Sequence, residues 1–179
     1  FPDREVAEDL VPRYPAAVPG CFNIGLLHTS LTGAEGHDTY APTTLAHLKN
    51  KGYDYWALGH IHARQVVCES PRVVFPGNLQ GRHAREIGPK GCELVTVEGA
   101  AGGLLGRMSA RFVPLDVVRW HVVPVDLQSL AQLEDVRASV LQALHAAVDK
   151  ADASEALHAM RVVLTGKTVL HALEASQPG

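Results

Sequence analysis

Three histidines in this chain each close an apolar run. His28 ends Gly25-Leu26-Leu27-His28-Thr29, and His60 and His62 end Tyr55-Trp56-Ala57-Leu58-Gly59-His60-Ile61-His62. Neutral imidazole is the commonest protein ligand for transition metals. A His-x-His pair beside a glycine aims two rings into one small volume. The chemistry these residue types suggest is the binding of a divalent ion. Three neutral nitrogens supply no negative charge, and a hydrolytic pair of ions about 3.5–4 Å apart needs a bridging carboxylate. The two carboxylates on hand are Asp38, in a polar loop, and Asp54, near the start of a strand and so at the wrong end. The other seven histidines (His37, His47, His83, His121, His145, His158 and His171) read as ordinary structural or surface residues.

Charge is distributed in a way that matters. The whole chain carries a net charge of −3, which announces neither nucleic acid nor membrane. Residues 59–91, however, hold 5 basic side chains (Arg64, Arg72, Arg82, Arg85, Lys90) against 2 acidic ones. The only net-basic stretch therefore begins at the His-x-His, and a phosphate-bearing ligand would be drawn there. Arg64, Arg82 and Arg85 are the candidates to steer it. The three cysteines, Cys21, Cys68 and Cys92, form no C-x-x-C pair. They read as thiols in a reducing compartment, which points to the cytoplasm. No apolar run reaches the ~18 residues of a membrane span, and the charged first residues do not resemble a secretory signal.

Stepping outward, the elements that must position the histidines are legible. A short helix is expected over residues 3–14, stopped near Pro15. Cys21 to His28 has the length and apolarity of a strand buried on both faces. Thr43 to Asn50 reads as a short helix capped by Thr43 or Thr44, with Leu45 and Leu48 inward. Tyr53 to Leu58 is the next strand. Apolar strand plus terminal histidine thus occurs twice, joined by a helix-bearing crossover of about thirty residues, the length of a βαβ unit. Ligands in such sheets sit beyond the carboxyl ends of neighbouring strands. Val66–Cys68 and Val73–Phe75 flank a hairpin turn, and Cys92 to Val97 alternates as another strand. A boundary is expected at the flexible, glycine-rich residues 99–109. Beyond it come two strands over Arg111–Trp120 and His121–Leu127, or one long bent strand, then an amphipathic helix over Leu133–Val148, a strand over Met160–Leu164 and a last short helix over Lys167–Ala175.

With Val74-Phe75-Pro76-Gly77-Asn78-Leu79-Gln80-Gly81-Arg82 following the Leu-His-Thr and Gly-His-x-His segments in order, the chain resembles the calcineurin-like metallophosphoesterases, specifically the SbcD-type DNA repair exonucleases. The resemblance covers residues 1–97 well. It implies an α/β (α+β) architecture: residues 1–98 as the C-terminal half of a mixed-sheet sandwich, 99–109 as linker, and 110–179 as a small capping module, where Val163-Leu164-Thr165-Gly166-Lys167 matches best. It implies two Mn²⁺ ions, with His28 and His60 on one and His62 on the other, and hydrolysis of DNA phosphodiesters with an SMC-like ATPase as partner. A homodimer is a further expectation. The family's early Asp-x-His, Gly-Asp and Gly-Asn-His-Asp motifs are absent. The segment is therefore expected to be the later part of a longer nuclease, excised upstream, and inactive alone. The alternatives are a metallophosphoesterase for a small phosphodiester and a non-catalytic DNA-repair assembly module.

Overall fold

The computed structural model describes residues 6–31, 40–99, 107–150 and 156–170. Two compact units divide the chain. The first comprises Phe1–Leu79 and Lys90–Leu115, the second Gln80–Pro89 and Asp116–Gly179.

The first unit is built on a four-stranded sheet of β1 (Ile24–His28), β2 (Tyr55–Gly59), β3 (Gln65–Glu69) and β4 (Arg72–Phe75), in the order β1-β2-β4-β3. β1, β2 and β4 run parallel; β3 is antiparallel to β4. The crossover from β1 to β2 carries α1 (Leu45–Asn50), whose Thr44 hydroxyl accepts from the His47 backbone N–H at 3.1 Å. Leu48 is fully buried and Leu45 packs beside it, as its spacing predicts. Leu27, Trp56, Leu58, Val73 and Phe75 form the core on that face, with Val11 and Tyr53. Trp56 lies flat across Gly25 and donates its indole N–H to the Leu48 carbonyl at 3.2 Å.

Several expectations need correction. β1 is not covered on both faces: Ile24 and Leu26 are exposed, Leu26 at 71%. The expected helix over 3–14 is, within the described residues, only a 3-10 turn at Val11–Arg13. Pro12 and Pro15 remove donors there, and the Asp9 carboxylate takes the Val11 N–H at 2.9 Å. The expected linker falls inside a hairpin. β5 (Gly91–Val97) pairs with β6 (Met108–Pro114) in unbroken antiparallel register, Gly91 opposite Pro114 and Val97 opposite Met108. Both strands belong to the first unit, so the change of unit comes after Leu115. Residues 100–106 themselves lie outside the described residues, and the expected last helix does too beyond Leu170; Val169 and Leu170 form a turn.

The second unit is a βαβ crossover: β7 (Val118–Asp126), α2 (Leu133–Lys150) and β8 (Leu157–Thr165), with β7 and β8 parallel. Val123 and Val125 on β7, with Leu127 just past its end, pack against Val136, Val140, Ala143, Leu144 and Ala147 of α2 and Met160 and Val162 of β8. Val136, Val140 and Leu144 thus face this core as the amphipathic spacing implies, whereas Leu133, Leu141 and Val148 of the same helix are exposed. Residues 80–89 are tied in by polar side chains. Gln80 donates to the Val118 carbonyl at 2.6 Å and accepts from the Val117 N–H at 2.9 Å, and Trp120 donates to the Gly81 carbonyl at 3.1 Å. Arg119 and Asp116 form a buried bidentate ion pair at 2.8 and 2.9 Å. Among the described residues no helix is long and apolar enough to cross a membrane.

Candidate metal centre

The register of the parallel sheet sets His28 opposite Gly59, so that His60 is the first residue past the tip of the neighbouring strand. The Thr29 N–H donates to the Gly59 carbonyl at 3.1 Å and continues the ladder by one bond. His60 then turns sharply, with φ at +106°. That region is sparsely populated by residues with a Cβ and costs about 1–3 kcal/mol. The turn brings His60 Nδ1 to 3.3 Å from His28 Nε2, with the rings perpendicular at 87° and their centroids 5.2 Å apart.

Two nitrogens about 2.0–2.1 Å from one tetrahedral ion are separated by about 3.3–3.4 Å. The observed spacing fits that edge, and a neutral imidazole pair also hydrogen-bonds across it. Burial, followed by the charges of His60 and His62, holds the His28 imidazole below the ordinary histidine range. A lone pair is therefore available at neutral pH, which is what metal ligation requires.

His62 is exposed, near enough for its charge to act on His28, but it does not complete the pair into a metal cluster. Among the described residues no three His, Cys, Asp or Glu side chains converge as a metal-holding group. The histidines are thus a contacting pair with a third close by. Asp54 is fully explained by structure: its carboxylate accepts the Asn23 N–H at 2.7 Å, just before Ile24 begins β1 and so at the far end of the sheet. Asp38 lies outside the described residues.

The Phe-Pro-Gly-Asn turn has a definite task. Gly77 adopts φ +83°, and a Cβ there would come 2.9 Å from the His62 carbonyl oxygen. That same oxygen accepts from the Asn78 N–H at 3.4 Å and from the buried Lys90 ammonium at 3.1 Å. The turn grips the backbone of the His-x-His segment.

The arginines divide. Arg64 is committed elsewhere: its guanidinium donates twice to Glu93 at 3.0 and 3.1 Å and lies over the Phe112 ring at 5.3 Å. It serves the sheet–hairpin packing. Arg82 and Arg85 belong to the second unit and are exposed. Glu93, buried to 2% side-chain exposure, also accepts from Arg72. Burial pushes its carboxyl up, and the two arginines outweigh this and hold it below its usual range.

Sequence reading missed Tyr40. Its ring stands 5.2 Å from His28, edge-on at 87°, and 6.1 Å from His60, nearly parallel at 15°. A tyrosine at the end of a polar loop gave no periodic signal to find it.

Comparison with known proteins bears on this geometry. Residues 120–179 match the family model for the middle domain of the metallophosphoesterase YhaO. Over 125 residues, or 69% of its length, the chain is 44% identical to the uncharacterized metallophosphoesterase YhaO of Bacillus subtilis (strain 168). The chain is a relative of the metallophosphoesterases. It spans 29% of the length of that curated relative. The middle-domain match of this metallophosphoesterase relative begins at Trp120, close to Asp116, where the longer segment of the second unit begins, and the histidine pair lies upstream of it.

Proposed function

We propose that this chain contributes part of the metal-binding face of a divalent-metal-dependent phosphodiesterase acting on DNA ends. One observation carries the reading: two imidazole nitrogens 3.3 Å apart at adjacent parallel strand tips. His28 through Nε2 and His60 through Nδ1 would hold one ion, and His62 is the nearby third imidazole. A bound divalent ion polarises phosphoryl oxygens and lowers the pKa of water. The chain's own residues do the rest. The Gly77 turn and Lys90 fix the His62 backbone, and burial keeps His28 unprotonated. Support for DNA as substrate comes from the ordered Leu-His-Thr, Gly-His-x-His and Phe-Pro-Gly-Asn segments, similar to those of SbcD-type nucleases. By the same resemblance Mn²⁺ is the ion, two ions are used in the intact enzyme, and an SMC-like ATPase is the partner. The reading also requires a bridging carboxylate, and among the described residues none converges on the pair.

The test is to assay this chain, and the protein extended upstream to the length of the relative, on linear duplex DNA and on bis-p-nitrophenyl phosphate with Mn²⁺. Activity on DNA is expected only in the extended form, and lost on His60→Ala. Cleavage of the small ester alone would replace the nuclease reading with a small-phosphodiester one. An inert extended form would leave an assembly module.

A further inference from the structure

We propose that Tyr40 is a positioning residue for the histidine pair, fixing the His28 ring so that Nε2 faces His60 Nδ1. This rests on the metal-centre reading above and names what sets its donor geometry.

The three ring centroids form a triangle. Tyr40 and His60 are nearly parallel, 15° apart with centroids separated by 6.1 Å. His28 stands perpendicular to both, at 87° and 5.2 Å in each case. The terminal torsion of histidine is broad and roughly two-fold when nothing touches the ring. His28 lies to one side of the Tyr40–His60 pair, and the Tyr40 ring packed perpendicular to it at 5.2 Å obstructs its rotation about that torsion. A further side is closed by Gly59, where even a Cβ would come 2.9 Å from His28 Nδ1. With Nδ1 against Gly59, Nε2 is the nitrogen left to face His60.

Tyr40 is itself held to the strand that carries His28. Its N–H donates to Ser30 Oγ at 3.1 Å, and its carbonyl accepts from the Ser30 N–H at 2.8 Å. The next residue, Ala41, accepts from Thr29 Oγ1 at 2.7 Å and is completely buried. Tyr40 and Ala41 are thus fastened to Ser30 and Thr29, the residues that directly follow His28. A ligand ring held in its binding orientation before the ion arrives loses less freedom on binding.

The experiment titrates Co²⁺ and Mn²⁺ into the protein extended upstream to the length of the relative and follows calorimetry and, for Co²⁺, visible absorption. Tyr40→Phe keeps the ring and is expected to match wild type. Tyr40→Gln is expected to weaken Co²⁺ binding about 10–100-fold, the usual effect of removing a ligand's supporting contact, and to alter the Co²⁺ bands. His60→Ala is the control for the site itself. If His60→Ala binds like wild type, the metal-centre reading falls, and this proposal with it. If His60→Ala loses binding while Tyr40→Gln keeps wild-type affinity and spectrum, the role of Tyr40 is overturned and the metal centre stands. Should Tyr40→Gln fail to fold, the metal-free wild type decides. A single fixed set of His28 ring signals by NMR supports the proposal, and signals averaged by free ring rotation overturn it.

Discussion

The His28 imidazole rests against the backbone of Gly59, close enough that a Cβ there would lie 2.9 Å from Nδ1. The glycine of the Gly-His-x-His run is therefore a seat for the histidine of the neighbouring strand. Its position opposite His28 in the register makes that inevitable. Gly59→Ala is expected to swing the His28 ring off its axis and weaken divalent-ion binding about 10–100-fold, with little loss of fold. Calorimetric titration with Mn²⁺ beside a thermal melt separates the two effects.

A second glycine carries stability instead. A Cβ on Gly25 would come 2.2 Å from Trp56 Cε3, inside the ring of a residue with no exposed surface. The tryptophan cannot retreat, because its N–H is bonded to the Leu48 carbonyl and its ring packs on Tyr53 at 5.0 Å and Tyr14 at 5.2 Å. Gly25→Ala is expected to destabilise the first unit by at least the 1–3 kcal/mol typical of overpacking, read as a shift in the denaturant midpoint. An unchanged midpoint would show that the indole slides.

The βαβ placement of His28 and His60 was legible because apolar runs, a capping threonine and a crossover length are local signals. The α2 helix was legible for the same reason. Three features were not. The β5–β6 hairpin spans a glycine-rich stretch that reads as a linker, and only long-range pairing of Gly91 with Pro114 shows otherwise. Arg64 looks like a free cation in sequence, and its commitment depends on Glu93 arriving from another strand. Tyr40 joins the site through a loop closure by Ser30, a contact without any periodicity.

Glu93 gives a charge-dependent prediction. Its carboxylate is buried between Arg72 and Arg64, and the folded value lies below the usual carboxylate range. The unfolded state then binds protons more readily as pH falls, so stability rises with pH across that interval. This contribution is complete above the ordinary glutamate pKa and is lost as pH drops through the folded value. Glu93→Gln leaves the largely buried Arg72 without its main counter-charge. A cost of about 3–5 kcal/mol is expected for breaking such a pair, together with a shallower loss of stability in acid. Urea melts at several pH values test both.

In the second unit, His121 and His158 sit on adjacent strands with Nε2 and Nδ1 2.9 Å apart. Burial, then the charge of His158 and that of Arg119, hold His121 below the ordinary histidine range, against a smaller opposing pull from Asp116. Above that range both folded and unfolded chains carry a neutral imidazole, and the contribution to stability is complete. As pH falls toward the depressed folded value the unfolded chain takes up the proton first, so stability drops. The slope is bounded by one proton, about 1.4 kcal/mol per pH unit. His121→Leu removes that proton and leaves a side chain suited to the Val123 and Ala147 surroundings. Its melting temperature is expected to be less sensitive to pH below the ordinary histidine range than that of wild type. Equal slopes in the two proteins would mean that the pair does not titrate with unfolding.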